Sequence, residues 1–157
     1  MSVINRKPEF ETDHTDIDRL YRQVVENGPS IVFITDKSGK IEYVNEKFTE
    51  ITGYSKDEVL GKNPKLLKSG FMSSEFYKSM WETLVRGESW KGTFLNRKKD
   101  GSLFYEETYI SPMKNEYGEI ERLIAIKNDI TKQIEAEQKL KEKDEMLEAL
   151  NNHKDKL

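Results

Sequence analysis

Cysteine is absent from all 157 residues, which excludes disulfides, thiol nucleophiles and thiolate metal ligands. Histidine occurs only as His14 and His153, one in each polar end, so the middle of the chain has no imidazole to serve as base or metal ligand. No glycine-rich phosphate loop occurs. No apolar run approaches the ~20 residues that a membrane span needs, and no signal peptide is visible. Strong charge of either sign is missing too. A net charge of −3 makes no electrostatic case for nucleic acid or an anionic membrane. Glu106 and Glu107 project to opposite faces of a strand, so they cannot form a paired acid/base site. Each is expected to be a solvated charge on an exposed strand face. These absences lead to the expectation of a cytoplasmic protein, or the cytoplasmic part of a larger one, that is not an enzyme, has no nucleic-acid partner and does not insert directly into a membrane.

What the chain does contain is concentrated in its middle. Charged and hydrophobic residues each make up 35% of the sequence, and the excess charge lies at the two ends. From about Ile31 to Ile130 the aromatic and β-branched residues suffice for one core, as expected of one domain plus an appendage. Ile31 to Ile34 form an apolar run that stops at Asp36, and Lys37-Ser38-Gly39 is turn chemistry. Ile41, Tyr43 and Asn45 then alternate with Glu42 and Val44, as in a half-buried hairpin partner. Phe48 and Ile51 share one face of the next helix, Gly53 ends it, and Ser55 caps another turn three residues before Glu58.

Further along, Tyr77, Met80, Trp81 and Leu84 mark a helix over about 74–86, with Ser73 or Ser74 as its cap and Gly87 as its end. Two longer strands, about 89–98 and 103–113, flank Lys99-Asp100-Gly101, a strong hairpin signal. A turn at 115–118 leads into a last strand over 120–130. Helices inserted between strands 2 and 3 of a five-stranded antiparallel sheet make this an α+β architecture. At the ends, residues 1–15 are polar and unpatterned and are expected to be a flexible tail. An amphipathic N-terminal helix follows over 16–27, with Ile17, Leu20, Tyr21, Val24 and Val25 at helical spacing, Asp16 as cap and Asn27-Gly28-Pro29 as stop. After the main domain (28–131), residues 132–157 place Ala136, Leu140, Lys143, Leu147, Leu150, Lys154 and Leu157 at coiled-coil spacing. A solvated helix is the plainer alternative for that segment.

The order of these pieces resembles a PAS domain, the small sensor module of signalling proteins, over about residues 20–131. The likeness is carried by Ile31–Asn63 (IVFITDKSGKIEYVNEKFTEITGYSKDEVLGKN), Trp90–Asp100 with Gly101, and Asp129-Ile130-Thr131. It implies that the 132–157 helix is a signalling coiled coil, that Asp129 and Thr131 tie it to the sheet, and that the chain is a parallel homodimer covalently linked to an output domain. Asn152–Leu157 is similar to the lead-in of a diguanylate cyclase, with a histidine kinase as the other candidate.

Among PAS cofactors, the resemblance argues against two. Light-sensing flavin domains place an adduct-forming cysteine just after the position of Asn63, where this chain has Pro64, Lys65 and Leu66. Haem-binding domains place a histidine on the helix around Tyr77 to Leu84, where only Met80 offers an unusual ligand. Tyr21–Asn27, Ile51–Tyr54, Val59–Asn63 and Asn96-Arg97 resemble the flavin-binding PAS domains of nitrogen-fixation redox regulators (NifL type). That likeness implies non-covalent flavin, FAD before FMN, with Trp81 and Asn96 at the isoalloxazine and Asn63, Phe33, Leu67 and Lys68 completing the site. In that family a glutamate lies near the flavin's polar edge, and here its place is taken by Pro64. Two plainer roles stand beside these: Trp81 as core, and Asn96 as a cap on the hairpin turn. So does a cofactor-free module for dimerisation and relay.

Overall fold

β1 (Ile31–Asp36) buries every second residue, Ile31, Phe33 and Thr35, in the computed structural model, which describes residues 14–156. β2 (Ile41–Val44) folds back on it. Its residues do not alternate simply as the sequence suggests. The register shifts between Ile34 and Thr35, where Ile34 faces Tyr43 and Thr35 faces Ile41, leaving Glu42 as an extra residue. The bulge turns both Ile41 and Val44 into the core.

The sheet has five antiparallel strands in the order β2-β1-β5-β4-β3, with β3 at Trp90–Arg97, β4 at Leu103–Lys114 and β5 at Ile120–Asp129. The last strand in sequence is therefore central, with β1 on one side and β4 on the other. Between β2 and β3 lie α1's successors in chain order: α2 (Glu46–Thr52), α3 (Lys56–Val59), a 3-10 turn (Pro64–Leu67) and α4 (Ser74–Val85), following α1 (His14–Asn27) at the start. This is the α+β arrangement expected from the sequence. Helix α1 begins two residues earlier than its sequence signals; the expected flexible tail otherwise lies outside the described residues.

Asn45 fixes the junction of α1, β1 and α2. Its fully buried amide accepts from Val32 N (3.0 Å) and Phe48 N (3.1 Å) and donates to Val25 O (2.7 Å) and Ser30 O (2.9 Å). Every polar site of that side chain is thus used, the condition under which burying an amide is tolerated. Gly53 closes α2 at φ 80°, and Ser55 Oγ accepts from Glu58 N to start α3. Ser73 caps α4 by accepting from Phe76 N. The core runs between the inner face of the sheet and these helices, with Phe48, Val59, Leu67 and Leu84 buried against Phe33 and Phe94.

α5 (Thr131–Asp155) leaves the sheet at the end of β5. Past Ile134, every residue of α5 whose side chain is described is exposed, including Leu140, Met146, Leu147 and Leu150. Among the described residues, no helix is long and apolar enough to cross a membrane.

Candidate functional site

A cavity of about 270 Å³ opens between the inner face of the sheet and helix α4. Its walls follow from the alternation of the strands and the helical stripe. Phe33, Phe94, Ile110, Leu123 and Ala125 point inward from the sheet, and Tyr77, Met80, Trp81 and Leu84 come from one face of α4. Burial raises the pKa of the Tyr77 phenol, and the Lys68 ammonium lies 4.0 Å from the centre of its ring.

One wall of the cavity is built around a glycine. Gly39 has φ 94°, and a Cβ there would come within 3.0 Å of Asn63 Nδ2 and 3.4 Å of Trp81 Cη2. The β1–β2 turn can approach Asn63 and α4 only with glycine at this position. Asn63 also caps the 3-10 turn, accepting from Lys65 N at 3.0 Å. Beyond that turn the chain runs alongside β3: Lys68 bridges to Asn96, Ser69 Oγ donates to Leu95 O, and Leu95 N donates to Met72 Sδ.

One end of the cavity is polar. Asn96 and Lys127 line it at 4% exposure each, and behind them lies Glu106, which is wholly buried. Asn96 Nδ2 donates to Glu106 Oε1 at 2.7 Å, and Lys127 Nζ lies 3.4 Å from the same oxygen. Lys127 Nζ also sits 4.7 Å from the centre of Phe94 and 5.2 Å from that of Phe33, within cation–π range. Glu106 Oε2 is buried and has no partner among the described residues. Carboxylate and ammonium groups this far from water persist only when paired, and this pair is under-satisfied on both sides.

Several expectations are corrected here. Glu106 is not a solvated surface charge but an ion-paired group in the interior, whereas Glu107, on the opposite face, is exposed. Asn96 does not cap the hairpin. That turn is held by Arg97 donating to Gly101 O and by Asp100, which accepts from the Ser102 amide and hydroxyl. These two bonds hold the Asp100 carboxyl below its ordinary pKa. Of the residues singled out from sequence, Phe33, Asn63, Lys68, Trp81 and Asn96 meet at the cavity. Leu67 does not line it and is instead buried in the core. Trp81 is half-buried, lines the cavity and packs against the core's edge. Sequence reasoning does not single out Lys127 and reads Glu106 only as a surface charge. The signal for Lys127 was its place in the inward series Leu123, Ala125, Lys127; Glu106 was masked by its twin at 107.

The root of α5 lies beside this polar end. Glu106 pairs in register with Asp129. Next to it, Tyr105 accepts from Ile130 N and donates its own amide to Thr131 Oγ1, both at 2.9 Å. Asp129 in turn accepts from the Thr131 amide at 3.0 Å and from its hydroxyl, placing a carboxylate at the positive end of the helix. Asp129 and Thr131 thus join the helix to the sheet.

Comparison with known proteins agrees with this architecture. The PAS domain pattern matches residues 29–132. A nitrogen fixation regulatory protein of Klebsiella oxytoca is 34% identical over 134 residues, 85% of this chain and 27% of its own length. A blue-light-activated histidine kinase of Brucella anthropi is 31% identical over 114 residues, 71% of this chain and 23% of its own length. The structure of an RNA-binding light-oxygen-voltage receptor superposes with a TM-score of 0.76 at 21% identity, over 90% of this chain and 41% of that one, a likeness of fold. The chain spans about a quarter of the length of these curated relatives. A sheet of matching topology, its inward cavity and a match across most of its length make this chain a member of the PAS domain family.

Proposed function

We propose that the chain is the sensor segment of a longer cytoplasmic signalling protein, that it binds a flavin non-covalently, FAD before FMN, and that it relays redox or light state through α5. The observation that carries this reading is the cavity. Its walls are apolar and aromatic, its polar end holds two buried polar side chains, and a buried carboxylate oxygen behind them lacks a partner among the described residues. Binding sites for flat ring systems need that combination: apolar faces and a few placed polar groups, in roughly 300–1,000 Å³. At about 270 Å³ the space suits a ring system with the rest of a dinucleotide leaving by the mouth past Lys65 and Lys68.

When bound, a flavin supplies reversible reduction and absorption of blue light. The chain's own residues hold and read it. Trp81, Met80 and Leu84 pack on the ring, Asn96 and Lys127 meet its polar edge, and Lys68 accompanies the phosphate side. Pro64 stands in the wall without an acid, and the carboxylate near the polar end is that of Glu106, arriving from β4. A change of charge at that end is one residue from Tyr105, which holds the start of α5. No catalytic role falls to this segment; the output lies downstream, in a diguanylate cyclase or a histidine kinase. Similarity to a nitrogen fixation regulatory protein and to a blue-light-activated histidine kinase supports regulation and a kinase output.

Assembly as a parallel homodimer accounts for the exposed apolar residues of both flanking helices. Leu20, Tyr21 and Val24 on α1 are 55%, 68% and 68% exposed, and Leu140, Leu147 and Leu150 follow the seam spacing of α5. The test of the cofactor is the absorption spectrum of purified protein. Flavin bands, present on isolation or after incubation with FAD or FMN, support the reading. Protein that stays colourless with both overturns it in favour of a cofactor-free relay module. Light scattering that finds a monomer at high micromolar concentration counts against the dimer.

A further inference from the structure

We propose that Lys127 makes this pocket selective for a ring ligand carrying negative charge on its inward edge, with Glu106 as the residue that positions the ammonium. Where the flavin reading holds, on which this inference builds, the selected species is the reduced flavin, which readily becomes anionic, over the neutral oxidised form. The argument starts from an imbalance. Lys127 is 4% exposed and lines the cavity, while Glu106 is fully buried and does not line it. The positive end of the buried pair therefore faces the ligand, and the negative end is set back in the sheet.

The pair is also incomplete. An ammonium has three donors, and Lys127 makes one contact with a carboxylate, at 3.4 Å. The rings of Phe33 and Phe94 beside it attract a cation through their faces but accept no conventional hydrogen bond. An ammonium in this setting gains most from an acceptor inside the cavity, and gains more if that acceptor is charged. Lys65 and Lys68 also line the cavity, but both lie in the segment at its mouth and are exposed. Their charges are screened by solvent, whereas that of Lys127 is not. Asn96 shares Glu106 Oε1 with Lys127, which fixes both side chains at the same polar end.

The test compares ligands of matched shape and different charge on the whole chain. One pair is oxidised and dithionite-reduced FAD under anaerobic conditions. The other is anilinonaphthalene sulfonate and its uncharged parent, N-phenylnaphthylamine, read by fluorescence. Lys127→Met should lower the anionic-to-neutral affinity ratio about tenfold or more for each pair, as loss of a unit charge at short range in a partly dry site requires. Because that variant strands the Glu106 carboxylate and can fail to fold, Glu106→Gln/Lys127→Met is measured beside it, and the same loss is expected. Lys91→Met, on an exposed strand residue, should leave the ratios unchanged. If FAD binds in neither state but the probe ratio depends on Lys127, the flavin reading fails and charge selection stands. If FAD binds and both ratios are indifferent to Lys127 in a folded variant, the flavin reading stands and this proposal is overturned. Failure of the wild type to bind either probe or FAD overturns both.

Discussion

Asn96 Nδ2 donates to Glu106 Oε1 across 2.7 Å, and neither side chain reaches bulk solvent. An amide on an exposed strand would cost little to remove; this one is the best-placed partner of a buried carboxylate. Removing it leaves Oε1 with the 3.4 Å contact to Lys127 and Oε2 with none. Asn96→Ala should therefore lower unfolding free energy by about 1–3 kcal/mol, the range for stranding a buried polar group. Urea titration followed by circular dichroism measures it. A cost within about 0.5 kcal/mol, the usual range at the surface, would mean that the amide is not supporting the carboxylate.

The Glu106–Lys127 pair predicts an asymmetry between breaking it and replacing it. Glu106→Ala leaves a buried ammonium without a counter-ion and should cost about 3–5 kcal/mol. Glu106→Leu/Lys127→Met removes both charges and fills the space, so it should recover most of that loss or exceed wild-type stability. Equal destabilisation in both variants would place the energy in shape rather than in charge. Such a result would leave the pair's retention to be explained by packing alone.

The sequence made the frame legible because each boundary in it is a local event. Gly53 and Ser55 punctuate α2 and α3, Ser73 starts α4, and Asp100-Gly101 turns β3 into β4, all through contacts within a few residues. Strand order is another matter. Placing β5 between β1 and β4 depends on pairings such as Phe33 with Ala125, far apart in the chain. The cavity's walls were legible where helical spacing grouped Tyr77, Met80, Trp81 and Leu84. Its charged end was not. In β4 both alternating sets carry polar residues, Phe104-Glu106-Thr108-Ile110 against Leu103-Tyr105-Glu107-Tyr109, so the pattern does not say which glutamate turns inward. A lysine such as Lys127 in a strand reads as solvated until a carboxylate from a neighbouring strand is known to meet it.

Trp81 and Phe48 separate wall from core. Phe48 is fully buried, packed edge-on to Phe33 with ring centres 5.9 Å apart, and Phe48→Ala should cost about 3–5 kcal/mol. Trp81 keeps part of its surface in solvent and faces the cavity, so Trp81→Ala empties space that is already partly open. Its cost should be smaller than that of Phe48→Ala by about 1 kcal/mol or more, because truncation loses less where less was buried. Flavin affinity should respond in the opposite order, falling more in Trp81→Ala. A larger stability loss at Trp81 than at Phe48 would return the indole to the core.

The attachment of α1 to the sheet carries a pH dependence. The Tyr43 hydroxyl donates to the Glu26 carboxylate, and burial first, then that carboxylate, raise the phenol pKa well above its ordinary value. A folded-state pKa above the unfolded one gives a contribution fully present below the unfolded pKa of about 10 and lost as pH rises through the folded pKa. Tyr43→Phe should therefore be less stable than wild type at pH 8, with the difference shrinking only in strongly alkaline solution. Paired urea titrations at pH 8 and above pH 10 measure the trend. A difference that is constant across that range would assign the effect to packing of the ring.

Thr131 gives the sharpest test of how the sheet holds its outgoing helix. Its hydroxyl accepts from the Tyr105 amide at 2.9 Å and donates to Asp129, while its own amide donates to the same carboxylate at 3.0 Å. One side chain thus joins β4, the end of β5 and the first turn of α5. Thr131→Val keeps shape and β-branching but removes both hydroxyl bonds, at a net cost of about 0.5–1.5 kcal/mol for each bond lost. The effect should be local. Hydrogen exchange at the Tyr105 amide should accelerate, along with that of the first turn of α5, while amides in the β1–β5 ladder, such as Phe33 and Ala125, keep their protection. Thr131→Ser, which retains the hydroxyl, should restore most of the Tyr105 protection. Uniform acceleration across the sheet in Thr131→Val would make the residue a determinant of global stability. Unchanged exchange at Tyr105 would show that the helix root is held without this hydroxyl, leaving the Ile130 amide to Tyr105 carbonyl bond as the tie between α5 and the strand beside the cavity.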